Sequence, residues 1–244
     1  MQLELIKKSL AEYSGLDLTG AQITDDRFVT VNGEKFPLTP WRYDRRIGSM
    51  RRLAVKDNVL RRICSYKSVR IDHKDADIEK LLHNELDACQ WILNDKIVSV
   101  FATKNQDKIF SLILRTEKDV LCSIEIMLSL SSETKPVVKH EMVGKEGMIT
   151  DCSINEQLNA ESIYVFESNK KFPEYFSDLP GALLGLTPYE TAVLDNIEAV
   201  VAKKVNFEKA WENEEEIKHL VECTYKSAEL GERIITRGQN NETN

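Results

Sequence analysis

The chain has 244 residues, enough for one large domain or two small ones with a substantial core. An apolar content of 42% beside 30% charged residues is ordinary for a soluble protein, and no apolar run has the length of a membrane span. The net charge of −7 weighs against general nucleic-acid binding.

The opening MQLELIKKSLAEY holds acids and no long apolar centre, so it does not read as a signal peptide. Cys64, Cys89, Cys122, Cys152 and Cys223 are odd in number, scattered, and free of Cys-x-x-Cys spacing. They read as reduced thiols of a cytoplasmic protein, not as a disulfide frame or a zinc site. The four histidines are equally dispersed, and no pair of them has metal-ligand spacing, so no metal is expected.

In chain order, Leu3, Leu5, Ile6 and Leu10 suggest a short amphipathic helix over residues 1–13. Phe28 to Val31 followed by Asn32-Gly33 predicts a small hairpin. Residues 1–40 form an N-terminal extension on this reading, too short for a dinucleotide-binding fold, and no Gly-x-Gly-x-x-Gly occurs anywhere. No nucleotide cofactor is therefore expected on the chain alone. From Arg42 to Arg70 ten Lys or Arg stand against two Asp. Such a stripe could meet phosphate, with Arg51, Arg52, Arg61 and Arg62 as the anion candidates, although a balancing surface helix explains it as well. Tyr66 to Ile71 alternates and predicts a strand.

Leu82, Leu86, Cys89 and Leu93 fall at helical spacing, so a helix over 81–93 lies on a sheet, stops at Asn94-Asp95 and feeds a strand. Asn84, Asp87 and Trp91 share a neighbouring face, a suitable wall for a small-molecule site. The strands that follow run over 96–102 and 108–116 about a polar turn, then 120–130, 138–143, 148–151 and 161–166. Their short loops make this part antiparallel. In the strand Val120 to Leu130 one face is wholly apolar, while the other sets Leu121 and Met127 among Ser123, Glu125 and Ser129. Helices at 81–93, 187–204 and 213–230 are expected to cover the apolar face. The mixed face, bare in a monomer, predicts a twofold homodimer through the sheet. Thr187-Pro188-Tyr189-Glu190 is a helix start with a capping box. Asn213 with three following acids starts the last helix, and Gly231 stops it. Residues 237–244 read as a disordered tail.

Three stretches carry a resemblance. His83-Asn84-Glu85-Leu86-Asp87 with Trp91, then the run His140 to Ile149 with Gly144 and Gly147 at its turn, then Cys223 to Ile235, resemble in order the second half of Gfo/Idh/MocA oxidoreductases. The resemblance implies an α+β domain over 41–236, a largely antiparallel open sheet with helices packed on one face. It implies a substrate site beside Lys80, His83, Asn84, Asp87 and Trp91. In the register that keeps Glu-Leu-Asp and Trp, Asn84 stands where the family has its catalytic His and Lys80 where it has an Asp. Asparagine cannot act as a general base near neutral pH, so no catalytic residue is assigned. With His83 as the family His and Glu79 as its carboxylate, the Glu-Leu-Asp match is lost. Glu34-Lys35-Phe36-Pro37 differs from the family's Glu-Lys-Pro by an inserted Phe, and its Lys is not carried over.

The expectation is a stand-alone, pseudoenzyme-like substrate-binding domain acting as a binding or assembly module, with a sugar-like ligand. The alternatives are a subunit of a split NAD(P)-dependent dehydrogenase, whose nucleotide-binding half is a second chain, and an anion or nucleic-acid binder acting through Arg42 to Arg70.

Overall fold

The structure is a computed structural model that describes residues 21–23, 27–106, 108–151, 162–168, 174–177 and 186–236. The helix expected over 1–13 and the tail from 237 lie outside these residues. The fold divides into two compact units, Met1–Gly48 with Asp178–Glu216, and Ser49–Ser177 with Ile217–Asn244.

In the first unit β1 (Ala21–Ile23), β2 (Phe28–Val31) and β3 (Glu34–Pro37) form a three-stranded antiparallel sheet. Asn32 and Gly33 both take positive φ, 52° and 84°, which gives the two-residue turn its twist. A 3-10 turn over Pro40–Tyr43 leads into α1 (Arg45–Arg51), which ends in a π turn over Arg52–Lys56.

The second unit is built on a nine-stranded sheet. Its strands are β4 (Ile63–His73), β5 (Ile97–Asn105), β6 (Ile109–Thr116), β7 (Leu121–Leu130), β8 (Val137–Gly144), β9 (Gly147–Thr150), β10 (Ser162–Glu167), β11 (Glu174–Ser177) and β12 (Ile234–Ile235). Their order across the sheet is β11-β10-β9-β8-β4-β7-β6-β5-β12. Only β4 and β7 pair in parallel; the other pairings are antiparallel. The chain between those two strands holds α2 (Ile78–Leu93) and the β5-β6 hairpin, enough length for a crossover connection. The α+β class and the largely antiparallel sheet agree with the sequence reading.

Alternation sets the two faces of this sheet. On β7, Cys122, Ile124, Ile126 and Leu128 are buried, and on β6 so are Phe110, Leu112 and Leu114. Helix α2 lies on this side against β4 and β7, with Leu82, Leu86, Cys89 and Ile92 buried. Asp77 caps α2 by accepting from the N–H groups of Glu79 and Lys80, and Asn94 in the left-handed conformation ends it.

Helices α3 (Pro188–Val201) and α4 (Phe207–Leu230) follow. Thr187 and Glu190 make the expected capping box. The buried stripe of α3, Val193, Ile197 and Val200, joins Val29 and Leu38 in the core of the first unit. That corrects the expectation that this helix covers the apolar face of Val120 to Leu130: its stripe is taken by the hairpin. The last helix also starts earlier than Asn213. Asn206 accepts the Lys209 N–H at 2.9 Å, and Phe207 and Trp211 join the hairpin aromatics Phe36 and Phe28, so α4 gains its first turns from contacts the acidic run could not reveal. Its later part packs on the large sheet: Tyr225 meets Phe110 edge-on, and Ser227 accepts the Ala102 N–H at 2.9 Å.

Candidate functional site

Helix α2 is unusual because polar as well as apolar residues are buried along it. His83, Asn84, Glu85, Asp87 and Gln90 all lie inside, and Asp87 is 0% exposed. At 100° per residue, Lys80, Asn84, Asp87 and Trp91 share the side turned away from Glu85. The row expected from the sequence therefore exists as a row. It is not an open wall: Asn84 is 5% exposed, and only Lys80 and Trp91 are partly accessible.

Trp91 is engaged as well. The Arg51 guanidinium stacks over its ring at 4.8 Å, donates to the Trp91 carbonyl, and reaches Asn94 Oδ1 at 2.9 Å. An expected anion ligand and an expected substrate-wall residue thus meet each other. Lys118 Nζ adds a bond to the Asn94 carbonyl at 2.7 Å, so two cations close the negative end of α2.

The other anion candidates do not converge. Arg52 pairs with Asp57. Arg61 lines an open groove of about 360 Å³ together with Asp57, Glu146, Glu167 and Ser168, an acidic setting unsuited to an anion. Arg62 is exposed, and its carbonyl oxygen accepts the Lys145 N–H at 2.9 Å.

On the opposite side of α2 lies a charge network that the sequence did not announce. Glu85 accepts from the Ser68 hydroxyl and pairs with Arg70 at 3.3 Å. Arg70 also holds Asp72 at 3.1 Å. The His140 ring stands between two carboxylates, Nδ1 at 2.9 Å from Asp151 and Nε2 at 3.8 Å from Glu85, and its backbone N–H donates to Asp151. Burial alone would lower the His140 pKa, but the charge of Asp151 and its hydrogen bond, followed by Glu85, outweigh it and lift the value to about 10. Burial would likewise raise Glu85; bonding to and charge from His140, with Arg70 and Ser68, bring it down to about 2. An imidazolium and a carboxylate are therefore the resident forms. The cluster ties β4, β8 and the residue that follows β9 to α2. Glu85 was visible only as part of a motif and His140 only as part of a turn; the strand order brings them together. Among the described residues no group of three or more His, Cys, Asp or Glu side chains forms a metal site, and no helix is long and apolar enough to cross a membrane.

This sheet, its covering helices and their order define an oxidoreductase-type α+β domain, the class that the three motifs resembled. No protein-family model matches the chain, and no curated protein matches its sequence. Solved structures match in fold. An oxidoreductase domain protein from Kribbella flavida superposes with a TM-score of 0.65 at 12% identity, over 82% of this chain and 65% of that one. An oxidoreductase from Agrobacterium radiobacter, solved with NAD+, L-tartaric acid and magnesium, gives 0.66 at 15% identity, over 81% and 64%. Levoglucosan dehydrogenase in complex with NADH and levoglucosan gives 0.65 at 11% identity, over 83% and 66%. The chain thus has the fold of Gfo/Idh/MocA-type oxidoreductases over a part of their length, spanning just under two thirds of these structures.

Proposed function

We propose that the chain is a non-catalytic assembly module of oxidoreductase fold, working as a twofold homodimer through the open face of its large sheet. The observation that carries this reading is where apolar surface lies. Of the eight large apolar side chains exposed among the described residues, five sit on that face: Ile113, Leu121, Met127, Val143 and Ile235. Cross-strand register adds a continuous apolar row, Val137–Ile71–Met127–Ile109, over four strands. Such a row, open on one face of the sheet, is the kind of surface that a second identical face buries.

Several residues favour a module over an enzyme. In the register that the resemblance implies, Asn84 and Lys80 stand at the family's proton-transfer positions, and of the row only Lys80 and Trp91 are partly accessible. The alternative, a dehydrogenase subunit completed by another chain, would need His83 with Glu79, or a residue of that other chain, to carry the proton. On the present reading these 244 residues bind no nicotinamide cofactor by themselves, and the free thiols of Cys64, Cys89, Cys122 and Cys223 fit a reducing compartment such as the cytoplasm.

Sedimentation equilibrium tests the assembly. The full chain is expected at twice its mass of 28.0 kDa. Ile113→Lys with Leu121→Lys is expected to sediment as a folded monomer, because each exposed position tolerates Lys in the monomer while charge in the paired face does not. A native chain at the single-chain mass overturns the reading.

A further inference from the structure

Two metal-ligating side chains that the reading above leaves unused stand one turn apart on α4. His219 and Cys223 are four residues apart, so they project from one face of the helix. His219 Nε2 lies 3.6 Å from Cys223 Sγ and 3.3 Å from the carbonyl oxygen of Thr236. That carbonyl is held in place, because the Thr236 N–H donates to Val98 at 3.0 Å and its hydroxyl to Ile97 at 2.8 Å. On the far side of the ring, His219 Nδ1 faces a carboxylate oxygen of Glu222 at 3.8 Å.

Two of these separations, Nε2 to Sγ and Nε2 to the Thr236 oxygen, have the length of hydrogen bonds and also of edges of a coordination tetrahedron. A zinc ion bonded at about 2.3 Å to a thiolate and about 2.0 Å to an imidazole holds sulfur and nitrogen roughly 3.5 Å apart at the tetrahedral angle. The same ion keeps an imidazole nitrogen and an oxygen ligand roughly 3.4 Å apart. Both values match the spacing already present around Nε2. Glu222, 3.8 Å from Nδ1 and beyond hydrogen-bond distance, would reach the Nδ1 proton by rotation of its exposed side chain, which leaves the Nε2 lone pair toward the ion. Access is also provided: the His219 side chain is 57% exposed, while Cys223 is only 6% exposed and sheltered from competing reactions.

We propose that His219 Nε2, Cys223 Sγ and the Thr236 carbonyl oxygen bind one borderline divalent cation, of which zinc is the natural example, with water as the fourth ligand. Two side chains and one backbone carbonyl make this site. Binding ionises the Cys223 thiol and releases its proton to solvent, and the histidine proton moves from Nε2 to Nδ1. The ion would fasten the segment carrying β12 to α4, within the same unit. The proposal is independent of the homodimer.

Cobalt(II) is the probe, titrated into the full chain in the presence of a phosphine reductant. One equivalent is expected to raise a thiolate-to-cobalt charge-transfer band together with the strong visible bands of tetrahedral cobalt, and zinc is expected to displace it. Cys223→Ser should abolish the charge-transfer band, and His219→Ala, an exposed substitution that leaves folding intact, should weaken binding by at least about tenfold. Cys64→Ser, removing the exposed thiol on β4, should change nothing. Absence of the band from the native chain, or its survival in Cys223→Ser, overturns the site.

Discussion

At the scale of single residues the decisive group is His140. It is buried at 2% exposure between Asp151 and Glu85, and Glu85 is also held by Arg70 and Ser68. Removing Glu85 leaves His140 its Asp151 partner and Arg70 its Asp72 partner, while the buried Ser68 hydroxyl loses its acceptor. Glu85→Ala is expected to cost about 1–3 kcal/mol in a denaturant titration. The network also sets a pH profile. His140 rises from 6.5 to about 10 on folding, so its contribution is complete below pH 6.5 and is lost as pH climbs through about 10. Glu85 falls from 4.5 to about 2, so its contribution is complete above pH 4.5 and is lost as pH drops through about 2. The melting temperature should therefore stand on a plateau between about pH 4.5 and 6.5 and decline towards pH 10. In His140→Gln the alkaline decline should flatten; an unchanged decline would show that His140 is not the group responsible. None of this was legible in the sequence, because a histidine and a glutamate on separate elements become partners only when β8 is laid beside β4.

At the scale of elements, local signals are legible in the sequence and tertiary ones are not. The Asn32-Gly33 turn, the Thr187 capping box, the Asn94 stop and the alternation of β7 all follow from rules acting over a few residues, and each is found in place. Thr187→Ala should cost about 1–2 kcal/mol in thermal unfolding, since both reciprocal cap bonds are lost. The early start of α4 and the burial of the α3 stripe against the hairpin depend on contacts between distant segments, which spacing cannot report. The β8-β9 turn shows how close such contacts are. A Cβ on Gly144 would stand 2.5 Å from the Cβ of Leu60 and 2.6 Å from the Arg62 carbonyl oxygen, and Leu60 is fully buried. Gly144→Ala must push the 57–62 loop off the hairpin, and a loss of roughly 1–3 kcal/mol is expected from overpacking. Unaltered stability would mean that this loop moves freely.

At the scale of the molecule, the motifs pointed to the right fold while saying little about its surface. His83 to Trp91 keeps the frame of the family motif because that frame is the packing of a helix on a sheet. What the sequence could not give was burial: a row at helical spacing looks the same whether it faces a ligand or the protein interior. Nor could β7 alone show the patch to which β4, β6, β8 and β12 contribute. On the function proposed above, an oxidoreductase fold serves here as an assembly module without cofactor chemistry of its own. The decisive measurement is a calorimetric titration of the 244-residue chain with NADH and with NADPH. Neither cofactor is expected to give binding heat at micromolar to millimolar concentrations. Saturable binding of either one in the micromolar range would contradict that function.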